Sequence, residues 1–226
     1  MKKLWSRIFG VLIASILCSS VYAQEAIIYC HLGFGKPLAN MTRDAEFYAR
    51  NGFEVFQIQF SDEIGYPATA SMDVQIITEK AEELISRGYT VNLVGVSLGG
   101  YRALEAFIRN PYLFNKVVAM MSPINVTREE DLTTGMVRKT EEEIQMAMTF
   151  FSELETPIQL CEQGLCEGLS DRILLIWGGI DELCPKDDCY LMAIASGAEC
   201  QIVRWASHNV SNFTRALWEA IEFLRE

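Results

Sequence analysis

Short apolar runs recur along this chain, and nearly every one leads into a stretch of helical character. Ala26-Ile-Ile-Tyr-Cys30 is wholly apolar, Lys116 to Met121 and Arg172 to Trp177 are apolar after one basic residue, and Tyr89 to Val94 and Cys200 to Trp205 are mostly apolar. Runs without polar alternation suit strands covered on both faces, as in a parallel sheet. Phe53 to Phe60 alternates instead, with Val55, Phe56, Ile58 and Phe60. Between the runs lie helix signals. Asn40 to Asn51 carries Asn40 or Thr42 as a cap, one face of Met41, Ala45 and Tyr48, and Gly52 as a stop. Ser71 is placed to cap a helix in which Asp73 suits the positive end of the dipole, and Val74, Ile77, Ala81, Leu84 and Ile85 form the apolar stripe. Asp187 to Ser196 stops at Gly197, and Val210, Phe213, Leu217, Ala220, Ile221 and Leu224 share a face of the last helix. Strand and helix in repetition predict an α/β fold: a mainly parallel sheet of about six strands with helices on both faces.

One stretch breaks the rhythm. Residues 124–170 are polar and acidic, hold a helix-like segment from Glu141 to Leu154, and contain no run of the core type. They read as an insertion or small lid between core strands, or as a plain surface excursion. No internal repeat appears, and 226 residues suit one domain.

Chemistry enters at Gly95-Val-Ser-Leu-Gly99, between an apolar run and a helix-like stretch beginning at Tyr101. Gly-x-Ser-x-Gly between strand and helix fits a nucleophile elbow, where a tight turn presents Ser97 and only glycine tolerates the backbone approach on either side. A serine hydroxyl needs a neighbouring base, usually histidine. The chain has two histidines, His31 and His208. Both lie past the ends of strands, on the edge where ligands bind a parallel sheet. Asp181 follows the run ending at Trp177, one strand before His208. A carboxylate there can orient the imidazole and stabilise its charged form. Glu182 is the neighbouring substitute. Asp62 and Glu63 follow a strand expected on the far side of the first strand from the elbow.

With these residues in place the chain resembles the α/β-hydrolase family, in a compact version lacking the first strands. Gly95 to Gly100 resembles the elbow, and Gly178-Gly-Ile-Asp-Glu-Leu-Cys-Pro185 the segment carrying the acid. Ser207-His208 and the amphipathic helix behind it resemble the histidine segment. His31-Leu-Gly-Phe-Gly35 resembles the oxyanion loop, with Leu32 where the family has glycine. The resemblance implies Ser97, Asp181 and His208 as the catalytic residues. It also implies an oxyanion hole of the Leu98 N–H and a second N–H from Gly33 or Phe34, with His31 as a loop support. No cofactor and no metal are implied. The expected reaction is hydrolysis of an ester or thioester of a small-molecule or acyl substrate. Acyltransferase or peptidase activity is the alternative within enzymes, and a non-catalytic binding module is the alternative outside them.

Lys2, Lys3 and Arg7, the apolar run from Ile8 to Cys18, and Val21-Tyr22-Ala23 form the three parts of a secretory signal, with cleavage expected near Ala23. Residues 24–226 are then the mature domain, secreted or periplasmic. The apolar run is short for a membrane span of about 20 residues, and no later stretch is long enough to be one. Leu17, directly before Cys18, is bulky for a lipoprotein site. Losing three basic residues makes the mature chain more acidic than the −11 of the whole. Without a basic patch, nucleic acid is not an expected partner, and nothing in the sequence fixes an oligomeric state. Cys30, Cys161, Cys166, Cys184, Cys189 and Cys200 remain, an even number in an exported chain. Cys161/Cys166 and Cys184/Cys189 share one spacing and could close two local loops or cross-pair. Cys30 reads as a buried thiol in a strand. No tight Cys-x-x-Cys pair suggests zinc. Asn40, Asn125, Asn209 and Asn212 head Asn-x-Ser/Thr triplets, which matter only in a glycosylating host.

Overall fold

Each apolar run becomes a strand because helices cover both of its faces. In a computed structural model the described residues are 24–31, 41–61, 69–126, 141–208 and 214–226. Strands β1 (Gln24–Cys30), β2 (Glu54–Gln57), β3 (Tyr89–Val96), β4 (Val117–Met120), β5 (Ile173–Gly178) and β6 (Glu199–Val203) form one sheet in the order β2-β1-β3-β4-β5-β6. Every adjacent pair is parallel. Helices α1 (Arg43–Arg50), α2 (Ala70–Ser86), α3 (Leu98–Arg109), α4 (Glu141–Ser152), α5 (Pro157–Glu162), α6 (Lys186–Ser196) and α7 (Thr214–Arg225) surround it.

The period-2 alternation of a strand assigns its side chains to two cores. Ala26, Ile28 and Cys30, with Leu93, Ala119 and Trp177, pack beneath α2, α3 and α6. Ile27 and Tyr29, with Val94, Met120 and Ile176, pack beneath α1 and α7. The expected α/β layering with helices on both faces is therefore observed. The two edge strands are the exceptions to full burial, since β2 and most of β6 are only half-buried.

Local details depart from the sequence reading. Alternation over Phe53 to Phe60 yields only the four residues of β2. Thr42, not Asn40, caps α1. The side chain of Thr69, not Ser71, accepts the Met72 N–H and caps α2. In the α2 stripe Ile77, Ala81 and Leu84 are buried, but Ile85 is 41% exposed. Asp73 does more than meet the helix dipole. It is fully buried, accepts from Arg102 Nε at 2.6 Å and takes the Ser61 N–H at 2.9 Å. Val210 and Phe213 of the last stripe lie outside the described residues; Leu217, Ala220, Ile221 and Leu224 of α7 are buried as expected.

Among the described residues, 124–126 and 141–170 add no strand to the sheet. They hold α4, α5 and a disulfide between Cys161 and Cys166. A reciprocal cap fixes the start of α5: Thr156 Oγ1 accepts the Gln159 N–H and the Gln159 side chain accepts the Thr156 N–H. Ala147, Phe150 and Phe151 of α4 pack with Ala70, Leu98, Tyr101 and Val126 in a third apolar cluster. The Tyr101 and Phe151 rings meet edge to face at 5.0 Å. Thus α4 rests on the first turn of α3. No described helix is long and apolar enough to cross a membrane.

Candidate active site

Ser97 sits at the junction of β3 and α3 with φ 54° and ψ −126°. Only Ser97 and Met121 combine positive φ with a side chain among the described residues. Such a conformation costs on the order of 1–3 kcal/mol and persists where the surroundings impose it. The surroundings are visible. Ser97 N–H donates to Met120 O at 2.8 Å, and Ser97 O accepts from Gly100 N–H at 2.9 Å. A Cβ at Gly95 would lie 2.2 Å from Gly99 O, and one at Gly99 would lie 2.0 Å from Cys30 O. The two flanking glycines are therefore required by contact, as the elbow motif expects. Gly100 is less strictly required, because a Cβ there would fall 1.8 Å from the Ser122 hydroxyl, a side-chain atom, and more than 3 Å from the nearest backbone atom.

The other side of the site is assembled by two loops. β5 leaves the sheet at Gly178 and β6 leaves at Val203. Gly179 N–H donates to Val203 O at 2.9 Å and Ile180 N–H to Ala206 O at 3.0 Å. A Cβ at Gly178 would meet Ala206 O and Ser207 O at 2.5 Å, and one at Gly179 would meet Arg204 O at 2.5 Å. This close approach sets Asp181 opposite His208. Asp181 Oδ1 accepts the backbone N–H groups of Leu183 at 2.9 Å and Cys184 at 3.0 Å. His208 Nδ1 lies 3.0 Å from Asp181 Oδ2 and 3.2 Å from Oδ1. His208 Nε2 lies 2.9 Å from Ser97 Oγ. With a carboxylate facing Nδ1, the ring proton belongs on Nδ1 and Nε2 is left to accept from the hydroxyl.

The structure thus brings together Ser97, His208 and Asp181 in one hydrogen-bonded line, across 111 and 27 residues of sequence. It does not bring His31 into that line. His31 is buried, and its ring packs tilted against Phe60 at 5.5 Å. Glu182 is exposed. Leu98 is the first residue of α3, so its N–H belongs to the helix turn whose donors lack intrahelical acceptors. Gly33, Phe34, Asp62 and Glu63 lie outside the described residues.

Two neighbours of the site have roles that the sequence barely signals. Arg102 of α3 stacks its guanidinium 3.8 Å from the Phe60 ring centroid while bonding Asp73, which ties the elbow helix to the end of the segment after β2. A charged residue in an otherwise apolar stretch of α3 was the only available hint. Cys184 is the second. Its thiol, the Asp181 carboxylate and the His208 ring offer atoms within 4.8 Å of one another. These are ligand types for a soft divalent cation, but Asp181 and Nδ1 already satisfy each other. Burial first, then Asp181 and Asp188, push the Cys184 thiol well above its ordinary range. It is a neutral thiol beside the acid.

A cavity of about 210 Å³ opens between α4 and α5, lined by Val126, Met148, Phe151, Leu154 and Thr156 among others. Its lining includes none of Ser97, Asp181 or His208.

No family model matches the chain, and no curated protein matches it by sequence. Its fold does have solved counterparts. One of two metagenome-derived lipolytic enzymes superposes with a TM-score of 0.67 at 17% identity, over 90% of this chain and 94% of its own. A protein assigned to the alpha/beta hydrolase superfamily from Xanthomonas campestris pv. campestris gives 0.59 at 20% identity, over 89% and 99%. An acylaminoacyl peptidase from Pyrococcus horikoshii gives 0.69 at 15% identity, over 92% of this chain but 37% of its own. The fold is that of the α/β hydrolases.

Proposed function

We propose that this protein is a serine hydrolase that cleaves a carboxylic ester or thioester through an acyl-enzyme on Ser97. One observation carries the reading: a serine at positive φ has its Oγ 2.9 Å from His208 Nε2, while Nδ1 of the same ring lies 3.0 Å from a carboxylate that two backbone N–H groups also hold. His208 takes the Ser97 proton as Oγ adds to the substrate carbonyl. Asp181 stabilises the imidazolium without taking its proton. The tetrahedral oxyanion is received by the Leu98 N–H at the start of α3, where the helix dipole also favours negative charge. A second donor comes from Gly33 or Phe34, and losing one such donor costs about 3–4 kcal/mol of the barrier. Collapse expels the alcohol or thiol, protonated by His208. Water, deprotonated by the same ring, then releases the acid and regenerates Ser97.

The protein acts after export, with cleavage near Ala23, and segment 124–170 serves as a small lid. Packing of Phe150 and Phe151 against Leu98 and Tyr101, at the start of the helix that follows Ser97, supports that role. Lipolytic and peptidase relatives of the fold make ester and amide substrates the two classes to separate.

The experiment is labelling with a fluorophosphonate, followed by peptide mapping and a panel of nitrophenyl esters from short to long acyl chains. A phosphonyl adduct on Ser97 and ester turnover that disappears in Ser97→Ala are expected. Folded protein with no adduct on Ser97 overturns the proposal.

A further inference from the structure

We propose that Cys189 and Cys200 form a second disulfide, a staple between the helix that follows the acid and the strand that precedes the histidine. Spacing along the sequence allows Cys184 to pair with Cys189 or to cross-pair with the first cysteine pair, but the Cys184 and Cys189 thiols point to different places. Cys184 faces Asp181 and His208. Cys189, in the first half of α6 and fully buried, faces the sheet and is part of the core beneath α2, α3 and α6. Cys200, the second residue of β6 and opposite Leu175 of β5, packs on that same core from the strand side. α6 lies against both β5 and β6, so both side chains turn into the same α6–sheet contact, and each thiol is the other's hydrogen-bonding neighbour. A helix residue and a strand residue thus face each other across one packed contact, an arrangement a disulfide can bridge. The other two free thiols are enclosed elsewhere: Cys30 in β1 beneath Gly99, and Cys184 beside Asp181 and His208.

The contact also orders the chemistry. Cys200 is half-buried while Cys189 is sealed, so an external oxidant reaches Cys200 first. The hydrogen bond from Cys189 holds the Cys200 thiol below its ordinary range, which favours the attacking thiolate. That thiolate attacks one sulfur of a small disulfide such as glutathione disulfide and expels one glutathione thiolate. Cys189 then loses its proton and attacks Cys200 Sγ, expelling the second. Two electrons pass from the cysteine sulfurs to the glutathione sulfurs, and the two thiol protons end on two glutathione molecules. The new bond closes the short loop containing Gly197, between Asp181 and His208 in sequence.

The test uses the full chain, purified without reductant and equilibrated with a glutathione disulfide/glutathione mixture, then unfolded, alkylated with iodoacetamide and digested without reduction. This readout is independent of hydrolase activity and of export. The expected result is a linked peptide pair containing Cys189 and Cys200, with alkyl groups on Cys30 and Cys184. Alkylation of both Cys189 and Cys200, or a Cys184–Cys189 link, overturns the proposal. Cys200→Ser provides a second reading. It should make Cys189 alkylatable, leave Cys161–Cys166 linked, and lower the thermal midpoint by on the order of 5–10 °C relative to the oxidised protein. An unchanged midpoint would also count against the staple.

Discussion

Ser97 and the Asp181–His208 pair are held by different means. Ser97 is set by the middle of the molecule. Its strand lies between β1 and β4, its helix is buried along nearly its whole length, and backbone atoms of Cys30 and Gly99 crowd its flanking glycines. Asp181 and His208 are set at an edge. Their strands are β5 and the half-buried β6, and the loops beyond them are joined by two backbone hydrogen bonds and a close approach at Gly178 and Gly179. Close packing leaves the centre no freedom to adjust, whereas an edge strand can shift by tenths of an ångström. The lesson is that the geometry of Ser97 is inherited from the core, while that of His208 depends on a local clasp.

The largest effect should come from the reacting line itself. Ser97→Ala should lower ester turnover by at least about 10⁴-fold, and Asp181→Asn by about 10³-fold or more, both with an unchanged circular dichroism spectrum. Turnover within tenfold of wild type in either variant would break the proposed roles. Next, Gly99→Ala tests the rigid side. Its new Cβ would meet the carbonyl of Cys30 at 2.0 Å, and stability measured by urea unfolding should fall by on the order of 4 kcal/mol. A loss below about 1 kcal/mol would show that the centre yields.

A third test is pH. Burial raises the Glu105 carboxyl of α3 from 4.5 to about 7, against the lowering pull of Arg109. Between those values the folded state holds a proton that the unfolded state has released, so this group makes stability fall as pH rises from 4.5 to 7. The full cost above pH 7 is on the order of 3 kcal/mol. Glu105→Gln, whose amide oxygen can still accept from Arg109, should therefore be more stable than wild type at pH 8 and show no gain at pH 4. Equal gains at both pH values would contradict the assignment. Smallest in stability is Gly179→Ala at the clasp, where the edge should give way for about 2 kcal/mol yet ester turnover should drop more than tenfold. If stability fell as far as in Gly99→Ala, the contrast between centre and edge would disappear.

The parts legible in the sequence are those decided by patterns that do not depend on long-range packing. Ile27, Leu93, Val118 and Leu175 lie in runs apolar on both sides, and such runs have little choice but a covered strand. The placement of Ser97, Asp181 and His208 followed from strand ends and from the scarcity of histidine, and the structure brings these three within hydrogen-bonding distance. Caps were harder. Thr69 and Ser71 offer the same chemistry, and the extended backbone at Thr69 (φ −135°, ψ 135°) decides between them. Of the two equally spaced cysteine pairs, Cys161–Cys166 is linked and Cys184/Cys189 is not, because equal spacing says nothing about direction. Cys184 and Cys189 diverge when a helix begins between them, and Cys200 becomes a neighbour only after β6 returns beside β5. Arg102 and Asp73 were opaque for the same reason, since one partner precedes β3 and the other follows it.

That buried pair has a consequence for motion. Arg102 and Asp73 are almost fully excluded from water, and separating them would strand a charge on each helix. α2 and α3 therefore have no low-energy way to open independently. Amide protons of these two helices should exchange together, at the slow rate of whole-molecule unfolding, while those of β6 exchange sooner. The same bolt makes the segment from Thr69 to Arg109 a single cooperative unit, with Ser97 inside it.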